Sequence, residues 1–158
     1  FNLQKYREMK RLYVGSDHAG FEFKQTLLKY LKDNFESLEV IDCGSYDSQS
    51  IDYPTIAKVV AEKVSDNLDS SGILICGTGI GMCIAANKVK GIRAATVWDE
   101  ETAKLAKEHN HANVLCLGAR VLKIELAQQI VKLWLNTSFL SGRHANRVDL
   151  ITNLEREK

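Results

Sequence analysis

Short apolar runs alternate with amphipathic stretches along almost the whole chain. The apolar runs predict five β-strands, at residues 11–16, 38–42, 72–76, 92–97 and 113–118. The stretches between and after them predict helices at residues 20–35, 54–68, from about 80, 99–108, 123–135 and near 145–157. The second of these helices carries a typical apolar stripe, formed by Ile56, Val60, Val64 and Leu68.

This alternation predicts an α/β fold, because parallel strands need helical crossovers that cover both faces of the sheet. We expect a three-layer α/β/α sandwich with a five-stranded, parallel, Rossmann-like sheet. The 158 residues form one domain, and residues 1–8 are expected to be a non-native or disordered extension ahead of Met9. Ligands of such sheets bind at the carboxyl ends of the strands, and we expect every polar cluster discussed below to lie there.

Composition argues against several classes of function. The chain has 21 basic and 20 acidic residues, whereas sequence-independent binding to nucleic acid calls for a strongly basic face. The sequence has no apolar stretch of about 18 residues that would span a membrane. The four cysteines form no C-x-x-C pair, which indicates neither a disulfide framework nor a zinc site and favours a reducing cytoplasm.

A glycine-rich loop follows the third predicted strand. Gly77, Gly79 and Gly81 stand between a strand and a helix, so their backbone N–H groups can form a cradle for negative charge. The dinucleotide fingerprint has G-x-G-x-x-G spacing and an acid about 20 residues later. Here the spacing is G-x-G-x-G, although Asp99 mimics the acid, and no P-loop lysine follows. Nucleotide binding and a purely structural turn therefore stay open as alternatives.

Cys76 ends the strand that leads into this loop. A thiol that faces a helix N-terminus has a lowered pKa, which makes thiolate available as a base or nucleophile near neutral pH. The alternative is an inert packing thiol, which is the usual state of a cysteine in an apolar strand. We expect that inert state for Cys43, Cys83 and Cys116.

Three further polar clusters are candidates for binding. Asp17 either caps the following helix or, with His18 beside it, contacts a sugar or phosphate. The segment "HNHANVLCLGAR" contains two histidines, and the residues themselves do not choose between them. The segment "GRHANRV" forms either a solvated basic patch or an anion clamp, since guanidinium groups suit phosphate oxygens. These last two segments contribute His109, Asn110, His111, Arg120, Arg143, His144 and Arg147.

Six segments occur in order between residues 15 and 148: "GSDHAGF", "DYP", "ICGTGIGMCIAANK", "GIRAA", "HNHANVLCLGAR" and "GRHANRV". Together they resemble the ribose-5-phosphate isomerase B family, which also includes galactose-6-phosphate and allose-6-phosphate isomerases. The resemblance implies an aldose–ketose isomerisation of a sugar phosphate, without metal, nucleotide or other cofactor.

The resemblance also implies residue roles. Cys76 matches the base that moves a proton between C1 and C2 of the open-chain sugar. Some members carry a glutamate base directly after the last loop glycine, where this chain has Met82. His109 matches the ring-opening histidine and Asn110 its sugar-binding neighbour. The remaining matches are Asp17 for the sugar ring, His18 on the phosphate side, Arg120, Arg143 and Arg147 for the phosphate, and Tyr53 and His144 as further pocket members.

The chemistry of this reaction gives the glycine loop a role. Removing a proton beside a carbonyl forms an enediolate, and preorganised N–H donors stabilise such a charge by about 3–4 kcal/mol each. We expect the amides of Gly77, Thr78, Gly79, Ile80 and Gly81, with the Thr78 hydroxyl, to supply these donors.

Family members are dimers or tetramers with the active site at a subunit boundary, so the resemblance implies a homo-oligomer. It also implies that residues 137–158 pack on a partner subunit. Isomerisation of a six-carbon sugar phosphate is the alternative activity. A nucleotide-binding module without turnover is the alternative from another class.

Overall fold

The computed structural model describes residues 9–157, and the expectation for residues 1–8 lies outside the described residues. A single parallel sheet forms its centre, with the strand order β2-β1-β3-β5-β4. The five strands are β1 (Arg11–Ser16), β2 (Glu39–Asp42), β3 (Ser70–Cys76), β4 (Ala94–Thr96) and β5 (Val114–Gly118).

Six α-helices connect and follow these strands. They are α1 (Phe21–Asn34), α2 (Tyr53–Asp66), α3 (Ile80–Ala86), α4 (Glu100–Glu108), α5 (Ile124–Asn136) and α6 (Arg143–Arg156). A short 3-10 turn, His18–Gly20, precedes α1.

Two apolar clusters, one on each face of the sheet, form the core. One cluster joins the sheet to α1, α4 and α5, and includes Leu27, Leu31 and Trp134, all fully buried. The other joins the sheet to α2 and α3 and includes Val60 and Met82. All seven residues of β3 are buried. The predicted α/β/α sandwich with a five-stranded parallel sheet is confirmed. None of the helices within residues 9–157 combines the length and the apolar character that crossing a membrane requires.

The element boundaries differ from prediction where side chains compete for the backbone. Helix α2 ends at Asp66, because Asn67 adopts an extended conformation (φ −129°, ψ 102°). The Asn67 side chain donates to the Lys63 carbonyl at 2.8 Å, which closes the last turn of the helix. Leu68 therefore does not continue the apolar stripe of α2, and it is 86% exposed.

Helix α6 stands apart from the two packed layers. Its buried residues are His144 and Val148, whereas Leu150, Ile151 and Leu154 are exposed. Near the C-terminal end of α6, the Glu155 carboxylate accepts a hydrogen bond from the Gly91 N–H at 3.0 Å. The apolar face of α6 is thus largely unused by its own chain.

The turn between β3 and α3 depends on Gly79. Its φ of +83° lies in the left-handed region that side chains disfavour. A Cβ at this position would lie 3.1 Å from the Leu117 carbonyl carbon and 3.2 Å from the Thr96 methyl group. Backbone conformation and close packing against β5 therefore both require glycine here.

We expect Gly79→Ala to destabilise the fold by about 1–3 kcal/mol, because it combines left-handed strain with crowding against strand backbone. Gly91→Ala is the matched control, since Gly91 has a similar φ of +86° but faces only the Ser65 side chain. Urea unfolding followed by circular dichroism measures both variants. A loss for Gly79→Ala no larger than that of Gly91→Ala would contradict the packing argument.

Candidate active site

The carboxyl ends of β1 and β3 are adjacent. After β1 the chain continues into α1 on one face of the sheet, and after β3 it continues into α3 on the other face. Ser16 pairs with Ile75 in register, and the Asp17 N–H donates to the Ile75 carbonyl at 3.1 Å. Asp17 and Cys76 are therefore neighbours at the point where doubly wound sheets bind their ligands. The sequence-predicted residues at this edge form the carboxyl-edge cluster, namely Asp17, His18, Tyr53, Cys76, Gly77, Thr78, Gly79, Ile80, Gly81 and Arg120.

The Cys76 thiol lies beneath the glycine loop. It is 5% exposed, and its Sγ accepts a hydrogen bond from the Gly79 N–H at 3.2 Å. Helix α3 is only seven residues long, and this directed N–H belongs to its N-cap residue. The next backbone N–H, that of Ile80, donates a hydrogen bond to the Thr78 hydroxyl oxygen at 3.2 Å.

Two other thiols lie below Cys76. The Asn87 amide lies 3.5 Å from Cys83 Sγ as a hydrogen-bond donor, and the pKa of Cys83 falls to about 6, chiefly through the Cys116 thiol. The same contact, together with burial, raises the pKa of Cys116 well above its ordinary value. Cys43 packs in the core, where burial raises its pKa.

Asp17 and His18 are held by the backbone around them. One carboxylate oxygen of Asp17 accepts the Gly20 N–H at 3.1 Å, so Asp17 caps the short 3-10 turn and not α1, whose N-cap is Gly20. The His18 ring accepts the Ile51 N–H at its Nδ1 at 3.2 Å. In the neutral ring the remaining proton is then on Nε2, which can donate to a ligand.

Tyr53 and Arg120 form the rim of this cluster. The Tyr53 ring fills the space above Gly81, where an added Cβ would lie 2.6 Å from the ring. The Arg120 guanidinium likewise occupies the space beside Gly77, at 3.1 Å from the position of a Cβ. The backbone N–H of Arg120 also donates a hydrogen bond to the Gly77 carbonyl at 3.0 Å. An aromatic hydroxyl and a cation thus flank the glycine loop.

The remaining predicted residues lie at the opposite edge of the sheet, which corrects the expectation that all clusters share the carboxyl edge. His109 caps the end of α4, five residues before β5 begins. Its ring stacks on His144 of α6, with centroids 4.2 Å apart and planes 14° apart. The amino-edge cluster comprises His109, Asn110, Arg143, His144 and Arg147.

The loop before α6 fixes this amino-edge cluster. The Leu140 N–H donates to the Glu108 carbonyl at 3.1 Å, and the Phe139 ring stacks on His111 at 4.5 Å. His111 is thus engaged in packing. Its pKa falls to about 4 through burial and the nearby Arg93 and Lys107 cations.

His144 is buried, whereas Arg143 and Arg147 on the same helix are exposed. Burial lowers the pKa of His144, and the adjacent His109, Arg143 and Arg147 lower it further. Arg143, His144 and Arg147 share the first turns of α6, and their N–H donors suit the oxygens of an anion. The basic patch of α6 is therefore arranged around one buried ring.

The two clusters are too far apart to meet in one protomer. Cys76 pairs in register with Gly118, the last residue of β5, while His109 precedes Val114, the first residue. The four residue steps of β5 alone span about 13 Å. Within one chain, His109 and the Cys76 thiol therefore lie at opposite edges of the sheet.

The structure weakens the nucleotide-binding alternative. The Asp99 carboxylate accepts the Thr102 N–H at 2.7 Å and forms a capping box at the start of α4. This hydrogen bond lowers the pKa of Asp99. Asp99, the acid whose position resembles that of a ribose ligand, thus serves as the N-cap of α4. Within residues 9–157, no group of three or more His, Cys, Asp or Glu side chains is arranged to hold a metal ion.

Sequence reasoning missed Gly118. A Cβ there would lie 2.7 Å from the Thr78 carbonyl, so only glycine lets the loop after Cys76 cross the end of β5. The sequence signal that could have indicated this role is a glycine at the last position of the apolar run that forms β5.

Comparison with known proteins gives matches along most of the chain. Residues 12–151 match the family described as Ribose/Galactose Isomerase. Ribose-5-phosphate isomerase B of Escherichia coli is 43% identical over 150 residues, covering 95% of this chain and 99% of the relative. The solved ribose-5-phosphate isomerase B of Clostridium thermocellum has a TM-score of 0.89 and 45% identity, covering 93% and 98% of the two chains.

The Mycoplasma genitalium enzyme of the same name, solved with bound ribulose-5-phosphate, has a TM-score of 0.89 and 44% identity, covering 94% of this chain and 97% of that one. With these matches along nearly its whole length, the chain belongs to the ribose/galactose isomerase family.

Proposed function

We propose that this protein interconverts ribose 5-phosphate and ribulose 5-phosphate as an aldose–ketose isomerase. One observation carries the proposal: the buried Cys76 sulfur lies at the open carboxyl edge between β1 and β3, hydrogen-bonded by a loop amide. The names of the matched relatives agree with it, and one of them was solved with the ketose product bound.

Cys76 acts as the general base. Its thiolate takes the proton from C2 of the open-chain aldose, which leaves a cis-enediolate with negative charge on the C1 oxygen. A proton then passes from the C2 hydroxyl to the C1 oxygen, and the same sulfur returns its proton to C1, which leaves the C2 carbonyl of the ketose. Proton transfer by a positioned group of this kind contributes about 10²–10⁴-fold to a rate. The hydrogen bond from the Gly79 N–H supports this role, since it stabilises negative charge on sulfur.

The glycine loop stabilises the enediolate. The N–H groups of Gly79 and Ile80 already bind the Cys76 sulfur and the Thr78 hydroxyl oxygen. The Thr78 hydroxyl proton and the N–H groups of Thr78 and Gly81 are then the donors for the developing oxyanion. Donors fixed before the reaction cost no reorganisation when the charge forms.

Binding residues hold the rest of the substrate. Asp17 contacts the sugar, His18 lies on the phosphate side, and Tyr53 closes the pocket above the loop. Arg120 approaches the phosphate from the same protomer. Holding a phosphate that does not react supplies binding energy for orienting the carbon that does.

The partner subunit completes the site. A two-fold axis brings the same surfaces together twice, so the carboxyl-edge cluster of each protomer can meet the amino-edge cluster of the other. His109 then opens the sugar ring with Asn110 beside it, while Arg143 and Arg147 bind the phosphate. The unused apolar face of α6, within residues 137–158, supports its packing on the second copy.

Replacing the base tests the chemistry. We expect Cys76→Ala to lower kcat by at least about 100-fold, because a general base is lost, with binding of ribose 5-phosphate retained in calorimetry. Cys83→Ala, seven residues later, serves as the control and should keep near-wild-type turnover. A Cys76→Ala enzyme with unchanged turnover would refute the base. Parallel assays on allose and galactose 6-phosphates would reveal a six-carbon preference.

Mixing two inactive variants tests the shared site. Cys76→Ala and Arg147→Ala each damage both sites of a homodimer. In a mixed dimer, one site carries both defects and the other carries none. Random pairing then yields about half mixed dimers, and thus about a quarter of wild-type activity.

Coexpression and turnover measurement check this result, with coexpressed Cys76→Ala and Cys76→Ser as the control that shares one cluster. If every site were built within one chain, neither mixture would recover activity.

A further inference from the structure

Lys24 is a fully buried cation in α1. Its Nζ donates to the Asp42 carboxylate at 2.6 Å and to the Ser45 carbonyl at 2.6 Å. The rings of Phe21 and Tyr46 face the same ammonium group at 5.5 and 5.8 Å. Lysine is rarely buried to this extent, because desolvating its charge is costly unless strong partners compensate.

The partners of Lys24 belong to one short segment at the end of β2. Asp42 is the last residue of that strand, and its Oδ1 also accepts the Gly44 N–H at 2.9 Å. The Ser45 carbonyl approaches the ammonium from three residues later. The backbone of residues 42–45 thus folds around the lysine charge.

This segment is bonded to the end of β1. The Ser16 N–H donates to the Gly44 carbonyl at 2.7 Å, and the Ser45 N–H donates to the Ser16 carbonyl at 2.8 Å. Ser16 directly precedes Asp17, whose carboxylate belongs to the carboxyl-edge cluster. A shift of residues 44–45 would therefore displace the backbone that carries Asp17.

The other end of the same loop reaches two further members of the cluster. The Ile51 N–H donates to His18 Nδ1, and Tyr53 begins α2 two residues later. Between these ends, the bonds of Asp47 connect it only to loop neighbours, at Ser45 and Gln49. The ammonium of Lys24 is thus the charged anchor at the root of a loop that touches Asp17, His18 and Tyr53.

We propose that Lys24 is a positioning residue, which sets the sugar-binding side of the site through residues 42–53 without touching substrate. This inference rests on the proposed isomerase function for its kinetic consequence. Hydrogen bonds to Cys76 and Gly77 come from the loop itself and from Ala119 and Arg120 just after β5, not from residues 42–53. Loss of Lys24 should therefore weaken substrate binding more than it slows the proton transfer.

The test replaces the charge with an apolar chain of similar length. In Lys24→Met we expect KM for ribose 5-phosphate to rise about tenfold while kcat stays within about threefold of wild type, the pattern of lost binding that is common to ground and transition states. Hydrogen–deuterium exchange should also accelerate in residues 42–53, because the Gly44, Ser45 and Ile51 amides lose their fixed acceptors.

Two control variants on the same helix separate positioning from stability. Lys29→Met removes an exposed charge and should leave KM and exchange unchanged. Leu31→Ala opens the core beside α1 and should lower the urea midpoint while leaving KM unchanged. Wild-type KM and exchange in Lys24→Met would overturn the proposal, as would an equal rise of KM in Leu31→Ala.

Asp42→Asn provides the second route if Lys24→Met does not fold. It keeps the shape of the pair but removes the carboxylate charge, so KM and exchange in residues 42–53 should rise in the same direction. Unchanged values would overturn the inference. If the wild-type protein shows no isomerase turnover, the proposed function fails, and the exchange measurement alone still decides whether Lys24 anchors the loop.

Discussion

The common direction of the five strands is the constraint on which the whole arrangement depends. A parallel sheet places all strand carboxyl ends at one edge and all amino ends at the other. Cys76 ends β3, whereas His109 precedes β5, so the fold itself separates them. In the proposed function, the two clusters on opposite edges form one active site only when a second copy brings them together. Oligomerisation is in this proposal a requirement of the chemistry.

The apolar periodicity predicted the sandwich, the five strands and the six α-helices, because buried faces impose their spacing on the sequence. This periodicity did not predict where the helices and strands end. Leu68 continues the stripe of α2 in the sequence, yet the helix stops at Asp66, where the Asn67 side chain takes the Lys63 carbonyl. Local hydrogen bonds of this kind depend on rotamers and backbone conformation, which periodicity does not encode.

Sequence reasoning named residues of both clusters but placed them at one edge. Strand direction alone would have separated them, since His109 lies before its strand and Arg120 after it. The stack of His109 on His144 joins positions 35 residues apart, and only the fold brings them together. Lys24 had a readable signal, since it precedes Leu28 by four positions and so lies on the buried stripe of α1. Its partner Asp42 came only with the structure.

The two halves of the proposed site differ in how they are held. Cys76 ends a strand that is buried along its whole length, and Gly118 lets the loop that carries its amide donor pack directly on β5. The arginines proposed to bind phosphate lie on α6, whose only buried residues are His144 and Val148. Proton transfer tolerates little displacement of the base, whereas long guanidinium side chains can adjust to a phosphate. Precise chemistry is therefore built into the core of each protomer, and adaptable binding is left to the surface that assembly completes.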